Sequence, residues 1–131
     1  MIVVDASAMV EALVGRDPDP TILDALSGEV SAPHVLDTEV LSALRGLCLG
    51  SRLAPRAAEI ALDRYFALTI IRHETSPLAA RVWQLRHQFT SYDASYLALA
   101  EALGVPLHTC DARLATNGHR AAVHVTGRSD S

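Results

Sequence analysis

Two acids bracket the most apolar unit of this chain, Tyr92–Leu114, which reads YDASYLALAEALGVPLHTCDARL. Asp93 heads a helical stripe continued by Tyr96, Leu97 and Ala100, and Asp111 follows the buried-type strand Val105–Thr109. A carboxylate on a face that folding buries is costly unless something compensates it. Asp5 repeats the position of Asp111, closing the β-branched run at the N-terminus. Glu39 shares its helical face with Val35, Leu36, Ala43 and Gly46 rather than with the polar side of Thr38, Ser42 and Arg45. At about 4 Å and an effective dielectric near 20, each pair of such acids costs on the order of 4 kcal/mol. Mg²⁺ or Mn²⁺ removes that repulsion, because hard cations take carboxylate and water oxygens. The chemistry implied is metal-assisted phosphodiester hydrolysis with one ion or two.

The elements that must position these acids follow from the patterning. Met1–Asp5 predicts a first strand, and Ala6–Val14 a helix closing at Gly15. After the turn-forming RDPDP loop come a short helix, Thr21–Leu26, and a brief strand, Glu29–Ala32. Pro33 is expected in the first turn of a helix running to Leu49. Its neighbours Asp37 and His34 are expected to do no more than complement the helix dipole. Arg56–Leu68 predicts a second amphipathic helix, Thr69–Ile71 a strand, and Leu78–Gln88 a helix capped by Ser76-Pro77. Ser91 is expected to cap the helix of Asp93, which ends at Gly104. A short helix or turn at Ala112–Thr116, a turn at Asn117-Gly118 and a last strand, Ala121–Val125, complete the order. Strands alternating with helices predict an α/β domain with a mostly parallel sheet of four to five strands between helix layers. Ligands of such sheets sit beyond the carboxyl ends of the strands, where Asp5, Ser7 and Asp111 fall.

Composition narrows the chemistry further. The length of 131 residues corresponds to one domain, with a flexible tail expected over residues 126–131. No apolar run is long enough to span a bilayer and no leader pattern opens the chain, so a cytoplasmic location away from membranes is expected. Cys48 and Cys110 lack zinc-site spacing and read as small buried hydrophobes. His73 and His87 read as surface or cap residues. The net charge is −4, yet setting four acids aside as metal ligands leaves a surface formally near neutral. Every basic side chain apart from histidine is arginine. The absence of lysine removes P-loop, Schiff-base and receiver-type phosphoacceptor chemistry, while arginine suits bidentate phosphate contacts.

Taken together, Asp5-Ala6-Ser7 after the first strand, Glu39 in a later helix, the Tyr-Asp-Ala…Leu-Ala…Pro-Leu-x-Thr-x-Asp segment and the closing strand resemble a PIN-domain ribonuclease. The likeness is nearest to the VapC toxins of bacterial toxin–antitoxin pairs and spans essentially the whole chain. It implies a PIN-like three-layer α/β/α fold and Mg²⁺-dependent RNA cleavage, with Mn²⁺ as a substitute. It also implies a type II toxin paired with a small cognate antitoxin, and a homodimer. By resemblance, Asp5, Glu39, Asp93 and Asp111 are the catalytic and metal-binding acids. Ser7 and Thr109 support them by hydrogen bonding near the metals, and the resemblance sets Asn117 near the site without counting it among the site residues. Arg86 and Arg113 are the candidates for RNA contact. Two nuclease-fold rivals stand beside this reading. A catalytically silent PIN-like module that binds RNA or protein would be expected to lose acids, and a DNA-directed relative would want basic clamps.

Overall fold

The computed structural model describes residues 1–127, and within them five strands pair in parallel. They are β1 (Ile2–Val4), β2 (Val30–Pro33), β3 (Ile70–His73), β4 (Leu107–Thr109) and β5 (Val123–Val125). Their spatial order is β3-β2-β1-β4-β5, with register pairs such as Val3↔Ser31 and Val3↔Leu107 placing β1 at the centre. The six α-helices are α1 (Ala6–Val14), α2 (Pro20–Leu26), α3 (Val35–Leu49), α4 (Pro55–Ala67), α5 (Ala79–Gln84) and α6 (Ser91–Leu103). The chain steps outward from β1 to β3 through α1–α4, then returns past β1 to β4 through α5 and α6. Right-handed crossovers therefore put the two helix groups on opposite faces, giving three layers. Contacts agree: α1 packs on α3 and α4, and α5 packs on α6.

Helix α6 carries the core. Residues Ala94–Ala100 are all buried, which is why its sequence is apolar nearly all round. It ends at Gly104, whose φ of +66° is the left-handed cap conformation that glycine adopts without penalty. With it Val3, Val4, Met9, Leu36, Tyr65 and Leu107 are fully or almost fully enclosed. Truncating Leu97 to alanine would cost about 2–5 kcal/mol.

Several boundaries differ from the sequence-based expectation, each for a local reason. Pro33 is not the first residue of a helix but the last of β2, opposite His73. The β1–β2 register runs only through Val30 and Ser31, so no β1 residue stands opposite the proline. Arg72 and His73 belong to β3 instead of leaving it. The expected helix Leu78–Gln88 breaks into a 3-10 turn at Ser76–Leu78, the short α5 and further turns. The Leu85 N–H is shared there between the carbonyls of Arg81 and Val82, both at 3.2 Å, which tightens the coil. Thr90, not Ser91, caps α6: its hydroxyl accepts the Asp93 N–H at 3.1 Å. Asp93 is therefore the third helical residue, not the second. Thr126 is buried and its N–H bonds the Thr109 carbonyl at 2.7 Å, so the expected tail does not begin there. Residues 128–131 of that expected tail lie outside the described residues.

Candidate active site

Asp5 leaves β1 and caps α1, an arrangement that follows from a strand ending directly against a helix start. Its carboxylate accepts the Ser7 hydroxyl at 2.7 Å and the Ala8 N–H at 3.0 Å on one oxygen. The other oxygen accepts the Thr109 hydroxyl from the end of β4. Burial pushes the Asp5 carboxyl above its ordinary value; the three hydrogen bonds pull it back, and the Asp111 charge pushes it further up. Thr109 links two of the acids, since its oxygen also accepts the Asp111 N–H at 3.0 Å. Ser7 performs the matching task, accepting the Cys110 N–H at 2.8 Å. The strand ends of β1 and β4 are thus stitched together by the side chains that hold Asp5.

Glu39 reaches the same edge from the second turn of α3. Tyr96 of α6 donates its hydroxyl to Glu39 Oε1 at 2.5 Å. Burial, then the charges of Asp93 and Asp5, raise the Glu39 carboxyl in spite of that bond. Enclosure and the Glu39 charge push the phenol far above its usual range, so Tyr96 remains a donor. Asp93 is half-buried in the first turn of α6. Burial raises it first, then Asp111 and Asp5; the Arg113 charge works the other way. Asp111 caps a 3-10 turn, Ala112–Ala115, and is held by Arg113 through Nε at 3.0 and 3.2 Å and Nη2 at 2.6 Å.

The fold brings all four predicted acids, with Ser7 and Thr109, to one edge of the sheet, where they act on one another electrostatically. Among the described residues no three acid, histidine or cysteine side chains form a ready coordinating group. Each of three acids is meanwhile held by hydrogen bonds: Tyr96 holds Glu39, Arg113 holds Asp111, and Thr109 with Ser7 holds Asp5. The donor set nevertheless fits a hard divalent cation. It is all oxygen, and Asp5, Glu39 and Asp93 are raised by burial first and then by neighbouring acids, Asp111 among them. Arg113 accordingly sits at the site, though on Asp111. Arg86 instead stacks over the Trp83 ring at 4.7 Å. Asn117 offers its carbonyl to Gln88 at 2.8 Å.

Sequence reasoning missed three features. Tyr96 was assigned to the apolar stripe of α6, yet its place one turn after Asp93 on the same face was a signal for a role at the site. Asp37 does more than complement a dipole. Although burial lifts its carboxyl, Arg72 at 2.9 Å and the Tyr65 hydroxyl at 2.6 Å hold it below the ordinary value. The third feature is a groove of about 640 Å³ between α1 and α3, walled partly by Ser7 and Glu39 and so continuous with the acids. Glu11 is buried in its wall, and a Cβ at Gly15 would run into the Glu11 carbonyl oxygen and stand 2.5 Å from its Oε1.

Comparisons with known proteins meet this geometry from outside. A family model described as PIN domain matches residues 2–119. The chain is 47% identical over 116 residues to Ribonuclease VapC1 of Mycobacterium tuberculosis, covering 86% of this chain and 87% of the relative. Among solved structures, PAE2754 from Pyrobaculum aerophilum matches with a TM-score of 0.72 and 25% identity, over 93% of this chain and 81% of that one. VapC20 of Mycobacterium tuberculosis, described as a sarcin–ricin loop cleaving toxin, matches with a TM-score of 0.65 over 92% of this chain and 97% of that one. Its identity is 17%, so that likeness concerns the fold.

Proposed function

This chain belongs to the PIN-domain family, and on that premise we propose that Asp5, Glu39, Asp93 and Asp111 form its catalytic and metal-binding site. As a relative of the VapC ribonucleases the protein is an endoribonuclease, a hydrolase of RNA phosphodiester bonds and the toxin half of a toxin–antitoxin pair. The observation that supports the site assignment is the convergence of these carboxylates at the carboxyl edge of the sheet, where burial first, and neighbouring acids second, raise Asp5, Glu39 and Asp93. Buried acids that repel one another are retained where a cation is to be held.

The four carboxylates would hold Mg²⁺, or Mn²⁺ in its place. A divalent ion bound there supplies charge neutralisation at the scissile phosphate and acidifies a water molecule. The remaining work belongs to the chain itself. Thr109 and Ser7 fix the Asp5 carboxylate against the strand ends. Tyr96 occupies one oxygen of Glu39 and so orients the other. Arg113 is exposed beside Asp111, which leaves its guanidinium accessible to an RNA phosphate.

The partners that go with this function are an RNA substrate, a small cognate antitoxin and a second copy of the chain in a homodimer. Among the described residues no helix is long and apolar enough to cross a membrane. A cytoplasmic location suits an RNA substrate. The test is cleavage of RNA by the purified protein with and without chelator. EDTA is expected to abolish cleavage, and Mg²⁺ or Mn²⁺ to restore it. Cleavage that persists in EDTA would overturn the metal assignment. RNA binding without cleavage under any metal would favour a catalytically silent module.

A further inference from the structure

Trp83 is the single tryptophan of the chain, and it stands two-thirds exposed on α5. Large aromatic rings are seldom left so open, since each carries a sizeable hydrophobic surface. The ring is not idle, however. The Arg86 guanidinium lies over it at 4.7 Å, and Arg86 Nη1 donates to the Trp83 carbonyl at 2.9 Å. One turn of chain thus presents an indole and a cation held in fixed relation. Gln84, His87 and Gln88 around the pair are exposed and polar.

The position of this pair matters. Arg81 bonds Glu101, near the end of α6, at 2.8 and 3.0 Å, so α5 starts beside that end and runs back toward the first turn of α6. Leu85 and Phe89 are buried under the following turn, and Thr90 then caps α6 three residues before Asp93. Gln88 bonds the Asn117 carbonyl, and Phe89 packs on His119 at 5.8 Å, tying this turn to the segment that leads from Asp111. Arg86 and Asp93 are seven positions apart in the chain, a span of at most about 25 Å even if fully extended.

We infer that Trp83 and Arg86 form a stacking subsite for an unpaired base of the RNA substrate, a few nucleotides from the bond that is cut. The inference rests on the ribonuclease reading above. Every base has a π-face, so an exposed indole takes a single-stranded nucleotide without sequence demand, and a braced arginine takes the adjoining phosphate. A protein partner fits less well. Interface cores are contiguous, apolar and poor in charge, whereas this ring is capped by a cation, followed by exposed Gln84 and His87, and preceded on its helix by the small exposed Ala79 and Ala80. Two-thirds of the Trp83 surface is open to a base, and Arg86 keeps N–H donors beyond the one given to Trp83.

The lone tryptophan makes the test direct. An oligoribonucleotide with no secondary structure, titrated into the whole protein in EDTA, should quench Trp83 fluorescence saturably. A duplex of the same sequence should quench it little, because its bases are already stacked. In Mg²⁺, Trp83→Ala should raise KM for the single strand about tenfold and leave kcat within about twofold. Trp83→Phe should recover most of the loss, and Arg86→Gln should raise KM with a weaker salt dependence. Circular dichroism of each variant checks folding, and an exposed position predicts an unchanged melting temperature. Absent quenching together with an unchanged KM in Trp83→Ala would overturn the subsite while leaving the ribonuclease reading intact. So would a variant that cleaves normally yet loses self-association or antitoxin binding, which would make the patch a protein interface. If the wild type cleaves no RNA, the ribonuclease reading fails instead, and the titration in EDTA decides the stacking separately.

Discussion

The molecule places carboxylates in two opposite kinds of surroundings. At the sheet edge, Asp5, Glu39 and Asp93 are raised by burial and by neighbouring acids, with hydroxyl groups as their main hydrogen-bond partners. At its flank, Glu101 is as secluded as many core residues, its side chain 6% exposed, yet it is held below its ordinary value. Arg81 grips it with two bonds, and the Arg120 N–H adds a third at 2.6 Å. Burial is common to both regions, so burial alone does not distinguish a structural acid from a functional one. The difference is whether the fold supplies its own cation. Where it does, the acid stabilises the domain; where it does not, the acid waits for a ligand and costs stability meanwhile.

That contrast breaks most visibly at Asp5. Asp5→Asn or Asp93→Asn should lower RNA cleavage by at least about 10²–10³-fold, measured with Mg²⁺ in excess. Asparagine remains a good helix cap and hydrogen-bond partner. The folded-state pKa of Asp5 lies above the unfolded value, so its contribution to stability is greatest at low pH and declines as pH rises through the folded pKa. Without metal at neutral pH, Asp5→Asn should therefore melt no lower than the wild type. A clear drop in melting temperature would mean that the charge is structurally compensated, against the contrast drawn here.

Arg81→Ala probes the other side. It strands Glu101 in a secluded place and should destabilise the domain by about 1.5–3 kcal/mol in a denaturant titration. Cleavage per folded molecule should be unchanged. Because the Glu101 pKa is lowered on folding, the stability it contributes is present above the unfolded value near 4.5 and is lost as pH falls through the folded pKa. Arg81→Ala should flatten that acid limb.

A smaller effect comes from His108 on β4. Burial, then the facing His124 imidazole on β5 at 4.7 Å, hold His108 below its ordinary value of 6.5. Its folded pKa lies below the unfolded one, so protonation favours unfolding and stability should decline as pH drops below about 6.5. Replacing His108 with glutamine should remove the decline between pH 7 and 5, followed by thermal melts. An unchanged pH slope would mean that the pair is wetter than its burial suggests.

Much of this was legible in the chain. The period of apolar residues located five strands and the main helices to within a few residues, because side-chain burial has a fixed geometry in each element. The four acids stood out because each was misplaced on a face that folding encloses. Local details were less accessible. Pro33 has the same preferred φ in a strand end and a helix start, so only the pairing with β3 decided between them. Thr90 and Ser91 are both good caps, and the choice lay in which hydroxyl met the Asp93 N–H. Asp37 looked like a dipole partner because Arg72, 35 residues away, was not yet beside it.

The sequence by itself determined the alternation of strands and helices, the lack of lysine and the identity of the acids, since these depend on residue type and local period. The tertiary structure decided which charges would be answered. Whether a buried carboxylate meets Arg81, Tyr96 or another acid depends on contacts between segments far apart in the chain, and Coulomb energy depends on those distances and their local dielectric. Residue type names the available chemistry, and proximity selects which of it is used.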